Sequence, residues 1–176
     1  MNKKYIYLSI DCEFDGPIPG DYSMVSFGAV VIDECLDKHF YGELKPISEK
    51  FVPSALEACK MTRDQTLLFP DPKKTMEEFD DWLCSLKDNP SNPNYRFMFL
   101  SDNNGKDFAF MDWYFHHFLN HNPFGHSSFN IGSYYKGLKG DMTANFKHLR
   151  KTKHSHNAYE DAYGNAEAFL EMNKGI

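Results

Sequence analysis

The chain is predicted to adopt an α/β fold, a mixed β-sheet flanked by helices, and three observations predict it. Strand-like apolar runs come first, at residues 5–10 and 24–32. A further apolar run at residues 96–100 then passes through a polar turn directly into helical spacing, the order of a strand–helix unit. Across all 176 residues there is no repeat, low-complexity tract or linker, so a single domain, residues 1–176, is expected to hold both parts.

Residues 5–10 are β-rich and end at Asp11, and residues 24–32 read Met-Val-Ser-Phe-Gly-Ala-Val-Val-Ile, a second buried strand. Between them Asp15-Gly16-Pro17-Ile18-Pro19-Gly20-Asp21 is dense in turn residues and must be a loop. Residues 40–44 fit a third strand. Helical spacing follows over residues 54–60 and 74–86, around Leu56, Met76, Phe79, Leu83 and Leu86. The polar segment 87–94, with two prolines, predicts a surface loop. After the strand at 96–100, the turn Ser101-Asp102-Asn103-Asn104-Gly105 opens a helix through Phe108, Met111, Phe115 and Phe118. Residues 129–132 predict a short strand and residues 158–172 a closing helix, whose Ala158, Ala162 and Ala166 form a small-residue stripe suited to close packing on a sheet.

With 41% hydrophobic and 16% aromatic residues the chain can bury a core. No run approaches the roughly 18 apolar residues of a membrane span, and Asp11 and Glu13 interrupt the start too soon for a signal peptide, so a cytoplasmic, non-membrane protein is expected. Cys12, Cys35, Cys59 and Cys84 lie far apart and form no CxxC pair, which predicts separate reduced thiols rather than a zinc site. The net charge of −6 argues against holding nucleic acid by bulk electrostatics. It does not exclude a nuclease, because divalent cations gathered by acids reverse the local field.

Three acidic patches carry candidate chemistry. Asp11 and Glu13, two apart on a strand, point to one face, where paired carboxylates repel unless a cation lies between them; solvated acids at a strand end are the plainer alternative. In His156-Asn157-Ala158-Tyr159-Glu160-Asp161, Asn157 and Glu160 have capping-box spacing, which starts the helix at Ala158 and leaves His156 outside it, beside Asp161 in the first turns. An exposed histidine before an ordinary amphipathic helix would look the same. At the middle strand-to-helix turn Asp102, Asp107 and Asp112 compete, with Asp112 expected to face solvent or to cap a pair.

In this order the patches resemble the DEDDh exonucleases of the RNase H-like (DnaQ-like) superfamily. Asp11-Cys12-Glu13 matches Asp-x-Glu, Asn103 and Asp107 match an Asn followed four residues on by Asp, and His156, Ala158 and Asp161 match His-x-Ala-x-x-Asp. The resemblance implies an RNase H-like sheet and a 3′-to-5′ exonuclease releasing nucleoside 5′-monophosphates from RNA or DNA. It selects Asp107 over Asp102 and implies that Asp11, Glu13, Asp107 and Asp161 hold two Mg²⁺ or Mn²⁺ ions, an all-oxygen set suited to hard cations. It assigns His156 as general base, a task that histidine's near-neutral pKa suits. The partner implied is the 3′ end of a single-stranded nucleic acid. Phe14, Met24 and Asn103 are the candidate substrate contacts, and Phe14 and Met24 fit a core equally well. The chain departs from the pattern after Glu13: Phe14-Asp15-Gly16 stands where Thr-Gly is common, and the loop at residues 16–20 is its own.

The basic run Lys147-His148-Leu149-Arg150-Lys151-Thr152-Lys153 precedes His156 and could hold phosphates upstream of the 3′ end, or be a solvated loop. His116, His117 and His121 have no carboxylate or cysteine at a matching offset and are expected at the surface. Trp113, Phe124, Tyr134 and Tyr135 are compatible with a homodimer interface. An inactive nucleic-acid-binding module and a small-molecule phosphodiesterase are the competing functions. The complete set of acids and histidine disfavours the first, and His-x-Ala-x-x-Asp disfavours the second.

Overall fold

The computed structural model describes residues 3–88 and 94–174. The central strand β1, Lys4–Phe14, pairs antiparallel with β2, Met24–Val31, which pairs antiparallel with β3, His39–Glu43. On its other side β1 runs parallel to β4, Tyr95–Ser101, and β4 parallel to the short β5, Ser128–Asn130. The sheet order is β3-β2-β1-β4-β5, mixed as expected.

β1 is longer than the apolar run suggests. Its ladder with β2 continues through Asp11↔Gly28 and Glu13↔Ser26 before a register shift at Phe14, so the two acids lie within the strand and not beyond its end. Alternation sends Leu8, Ile10 and Cys12 to one face and Ser9, Asp11 and Glu13 to the other. The first face is covered by α3, Pro72–Ser85, and α4, Asn104–Leu119. Their Phe79, Leu83, Phe110 and Phe115 join Phe27 and Phe99 in the main core, each such burial being worth roughly 1.5–3 kcal/mol. Asp71 caps α3 through the Lys73 and Lys74 amides, which sets that helix start two residues before the expected one.

The second face receives α6, Ala158–Met172, capped by Asn157, whose side chain accepts the Tyr159 and Glu160 amides. Ala158, Ala162 and Ala166 are fully buried, and Ala162 and Ala166 pack on Val30. At Gly28 the helix comes so near that a Cβ would stand 2.5 Å from the Ala158 carbonyl oxygen and 2.5 Å from Tyr159 Cα. Gly28 is the register partner of Asp11, so this contact sets the first turn of α6 beside the acids of β1.

Three short helices complete the described residues: α1, Pro53–Ala58; α2, Arg63–Thr66; and α5, Ile131–Lys139. Residues 129–132 are only in part a strand. β5 ends at Asn130, whose side chain caps α5 by accepting the Ser133 amide. The expected loop at residues 87–94 falls mostly outside the described residues. The loop after Phe14 is anchored through the fully buried Asp15, which accepts the Ser23 amide at 2.5 Å and Arg63 Nη1 at 2.8 Å.

Candidate active site

Four elements meet at one end of the sheet. β1 supplies Asp11 and Glu13, the turn after β4 supplies Asp102, the first turn of α4 supplies Asp107, and the first turn of α6 supplies Asp161. The carboxylate oxygens of Asp11, Glu13 and Asp161 lie within 4.8 Å of one another, as do those of Asp11, Asp102 and Asp107. Asp11 belongs to both sets.

Asp107 and Asp161 are each 1% exposed. Asp161 is well supplied with donors: its Oδ1 accepts the Ser155 amide at 3.1 Å, and its Oδ2 the His156 amide at 2.9 Å. His154 Nδ1 stands 2.8 Å from Oδ1 and Arg150 Nη1 3.6 Å from it. Asp107 has fewer donors: against burial, Ser101 and the Cys12 backbone lower its pKa, but its buried Oδ2 has no hydrogen-bond partner. Asp102 is half-buried and lies against Arg150 Nη2 at 3.3 Å and Lys147 Nζ at 3.7 Å.

Crowding away from water raises the pKa values of Asp11, Glu13 and Asp107. Burial first, then the charges of Asp107, Glu13, Asp102 and Asp161, holds the Asp11 carboxyl well above the carboxylate range. Burial, followed by Asp161, pushes Glu13 up to about 8. Burial also raises Asp107 well above its ordinary value, with Asp102 adding to it. Burying carboxylates without partners costs several kcal/mol each unless a cation compensates. Two sets of hard oxygen donors sharing one residue, with an orphaned oxygen on Asp107, fit a divalent-cation centre.

His156 is exposed and left-handed, with φ 59°. For a non-glycine residue this costs roughly 1–2 kcal/mol, and it is held by the hydrogen bond from its N–H to Asp161 and by the helix cap that follows. Its ring lies 4.3 Å from that of His154 in a T-shaped pair. Among the described residues, His154 is the histidine whose ring reaches a carboxylate of the cluster.

Of the expected substrate contacts, Phe14 is half-buried with its ring 4.2 Å from that of Phe110. Asn103 is exposed at the head of α4 and lines a cavity of about 350 Å³ together with Asp102, Lys136 and Lys147. Met24 needs correction. It is fully buried in the main core, its amide bonded to Tyr114 Oη at 2.9 Å, because the register shift after Glu13 turns it inward. Phe124 and Tyr135 likewise pack into cores, which leaves Tyr134 as the exposed aromatic of that group. His116, His117 and His121 are at the surface as expected, His121 bonded to Asp80 at 3.1 Å. Asp112 accepts from Asn122 Nδ2 at 2.7 Å.

Three further residues neighbour the cluster. Asp102 was set aside in favour of Asp107, yet it lies in reach of the same centre. Arg150 sits inside a basic run but is 4% exposed. His154 is separated from the motif histidine by a single residue. Its place beside His156 makes His154 the next candidate base in the sequence too, whereas nothing beyond the basic run marks Arg150.

No family model matches the chain. It is 35% identical over 179 residues to the 3′-5′ DNA exonuclease Cap18 of Escherichia coli, covering 97% of this chain and 93% of that protein. Among solved structures, the nuclease domain of 3′hExo, a DEDDh family member, superposes with a TM-score of 0.76 at 16% identity, covering 98% of this chain and 94% of the other. Escherichia coli Exonuclease I in complex with a dA16 oligonucleotide gives a TM-score of 0.68 at 14% identity, covering 97% of this chain and 41% of that one. At such identities the structural matches establish the RNase H-like fold. A relative this similar over nearly the whole length establishes more: the chain belongs to the DEDDh family of 3′-to-5′ exonucleases.

Proposed function

We propose that residues 1–176 form one exonuclease domain that releases nucleoside 5′-monophosphates from the 3′ end of single-stranded DNA. Asp11, Glu13, Asp107 and Asp161 hold two divalent cations, Mg²⁺ or Mn²⁺, and His156 is the general base. The observation that carries this reading is the pair of carboxylate sets sharing Asp11, with the Asp107 Oδ2 oxygen buried and unpartnered. Asp107 is chosen over Asp102 because its buried Oδ2 has no hydrogen-bond partner, whereas Asp102 lies against both Arg150 and Lys147. DNA is favoured because the relative of known activity is named a DNA exonuclease.

The cations, when bound, supply Lewis acidity for displacement at phosphorus. The chain supplies the rest. His156, outside the helix and exposed, can accept the proton of the attacking water at a ring nitrogen. Asp161 fixes the backbone of that residue by accepting a hydrogen bond from its N–H at 2.9 Å. Phe14, at the end of β1 and packed on Phe110, would offer its exposed part to the terminal base, and Asn103, with Lys136 and Lys147 around the adjoining cavity, would meet the backbone phosphates. A second reading makes His154 the base, because its ring and not that of His156 touches Asp161.

Four free thiols support a cytoplasmic site of action. A homodimer would draw on the exposed aromatics Tyr5, Tyr7, Phe129 and Tyr134, and sedimentation at micromolar concentration tests it. The deciding experiment for the function uses single-stranded DNA and RNA of one sequence, labelled at either end, with Mg²⁺ or Mn²⁺. Shortening from the 3′ end, stopped by a 3′ block and indifferent to a 5′ block, is expected, with DNA the faster substrate. Products released from the 5′ end would overturn the reading, and faster RNA cleavage would overturn its choice of DNA.

A further inference from the structure

Arg150 follows a 3-10 turn, Lys147–Leu149, and its side chain is almost wholly enclosed. Its stem passes α6 at Gly164, where an added Cβ would stand 3.3 Å from Arg150 Cδ and 2.9 Å from the Thr152 carbonyl oxygen. The guanidinium lies 5.9 Å over the Phe146 ring. Nη2 donates to Asn165 Oδ1 and to Asp102 Oδ2, and Nη1 approaches Asp161 Oδ1 at 3.6 Å. Nε and Nη1 are buried without a hydrogen-bond partner. A buried cation thus stands between the two carboxylate sets, against Asp102 of one and Asp161 of the other.

The charges in the cluster explain its placement. Five carboxylates are gathered there, whereas two divalent cations balance four. The fifth is costly to bury alone, and so is a guanidinium without a counter-charge. The guanidinium engages Asp102 and Asp161, Lys147 adds a second cation at Asp102, and the buried Oδ2 of Asp107 is left without a hydrogen-bond partner. The geometry points to Arg150 as a positioning residue that withdraws Asp102 from cation binding and holds Asp161 in place, so that four carboxylates remain for the two ions. This rests on the four-ligand reading above and deepens it.

The test measures Mn²⁺ binding to substrate-free protein by calorimetry, beside single-turnover hydrolysis of 3′ ends at saturating Mn²⁺. Arg150→Met keeps most of the stem and removes the charge. The cluster then becomes more negative and gains a fifth ligand, so Mn²⁺ should bind at least as tightly as to wild type. Turnover should fall by about tenfold or more as the ions shift from their working positions. Arg150→Met with Asp102→Asn removes the surplus charge and should move both quantities back toward wild type. A merely structural arginine would behave otherwise: binding and turnover would weaken together, and Asp102→Asn would restore neither. That result, or a single variant unchanged in both measurements, overturns the proposal. If Arg150→Met does not fold, a double variant that folds and binds Mn²⁺ supports the proposal, and one that also fails to fold overturns it. The underlying reading fails separately, in Asp107→Asn with Arg150 intact, should that variant bind Mn²⁺ as wild type does.

Discussion

Glu13 offers a test of the cluster that needs no substrate. Its ordinary pKa of 4.5 is pushed to about 8 in the folded protein, by burial first and by Asp161 second. An unfolded chain releases this proton near 4.5 and the folded chain keeps it to about 8, so between those values the unfolded state binds fewer protons and stability falls as pH rises. Below the window Glu13 is neutral in both states and costs nothing. Above it the full penalty is present. At about 1.4 kcal/mol per pH unit the interval caps that penalty at roughly 5 kcal/mol, and relaxation and water entry reduce it to a few. For a chain of this size each kcal/mol moves Tm by about 2–4 °C. Glu13→Gln should therefore melt about 4–10 °C above wild type at pH 9 in a chelator, and within a degree or two of it at pH 4.5. Thermal melts across that range, for both proteins, read the difference directly. Excess Mn²⁺ should reverse the order at pH 8, since the cation stabilises the ionised wild-type cluster and finds one ligand fewer in the variant. A difference in Tm that stays flat from pH 4.5 to 9, or that grows toward acid, would falsify the claim that Glu13 is buried among uncompensated charge.

Other outcomes follow from the same geometry. Asp107→Asn should abolish hydrolysis without unfolding the protein, while Asp102→Asn keeps the larger share of activity; the reverse pattern in a steady-state assay would exchange their roles. His156→Ala should lower turnover by about 10²–10⁴ with Mn²⁺ binding nearly intact. His154→Ala, measured beside it, should cost less, and a larger loss there would make His154 the base. Gly28→Ala should destabilise by more than about 2 kcal/mol in urea, since its Cβ meets the α6 backbone at 2.5 Å, and activity should fall with it because Asp161 moves with that helix.

Much of the fold was legible because its signals are local. β2 is buried at every position and its sequence is apolar apart from Ser26, and Asn157 caps α6 with a side chain that the chain carries in place. α5 was missed because Gly132 and Gly137 lower its propensity and Asn130 ends a strand while opening the helix. α2 has four residues and no periodicity to read. The extent of β1 depends on the β2 ladder, which lengthens the strand through two carboxylates that strand preferences disfavour.

The site divides along the same line. The order of the acidic motifs pointed to Asp11, Glu13 and Asp161, and the fold draws these together within 4.8 Å. The choice of Asp107 over Asp102 came from the family resemblance through Asn103, since both sit near one turn and both reach Asp11. What distinguishes them is a guanidinium 48 residues further along the chain. Arg150 reads in sequence as one basic residue among several, and a run of like charges ordinarily faces water. Only the close pass over Gly164 and the enclosure beneath α6 turn it into a buried counter-charge. A charge's partner is set by the fold and not by its neighbours in sequence, so the balance of a buried acidic centre is the property least accessible from the chain alone. Here that balance bears directly on the chemistry, because it sets how many carboxylates remain for the cations.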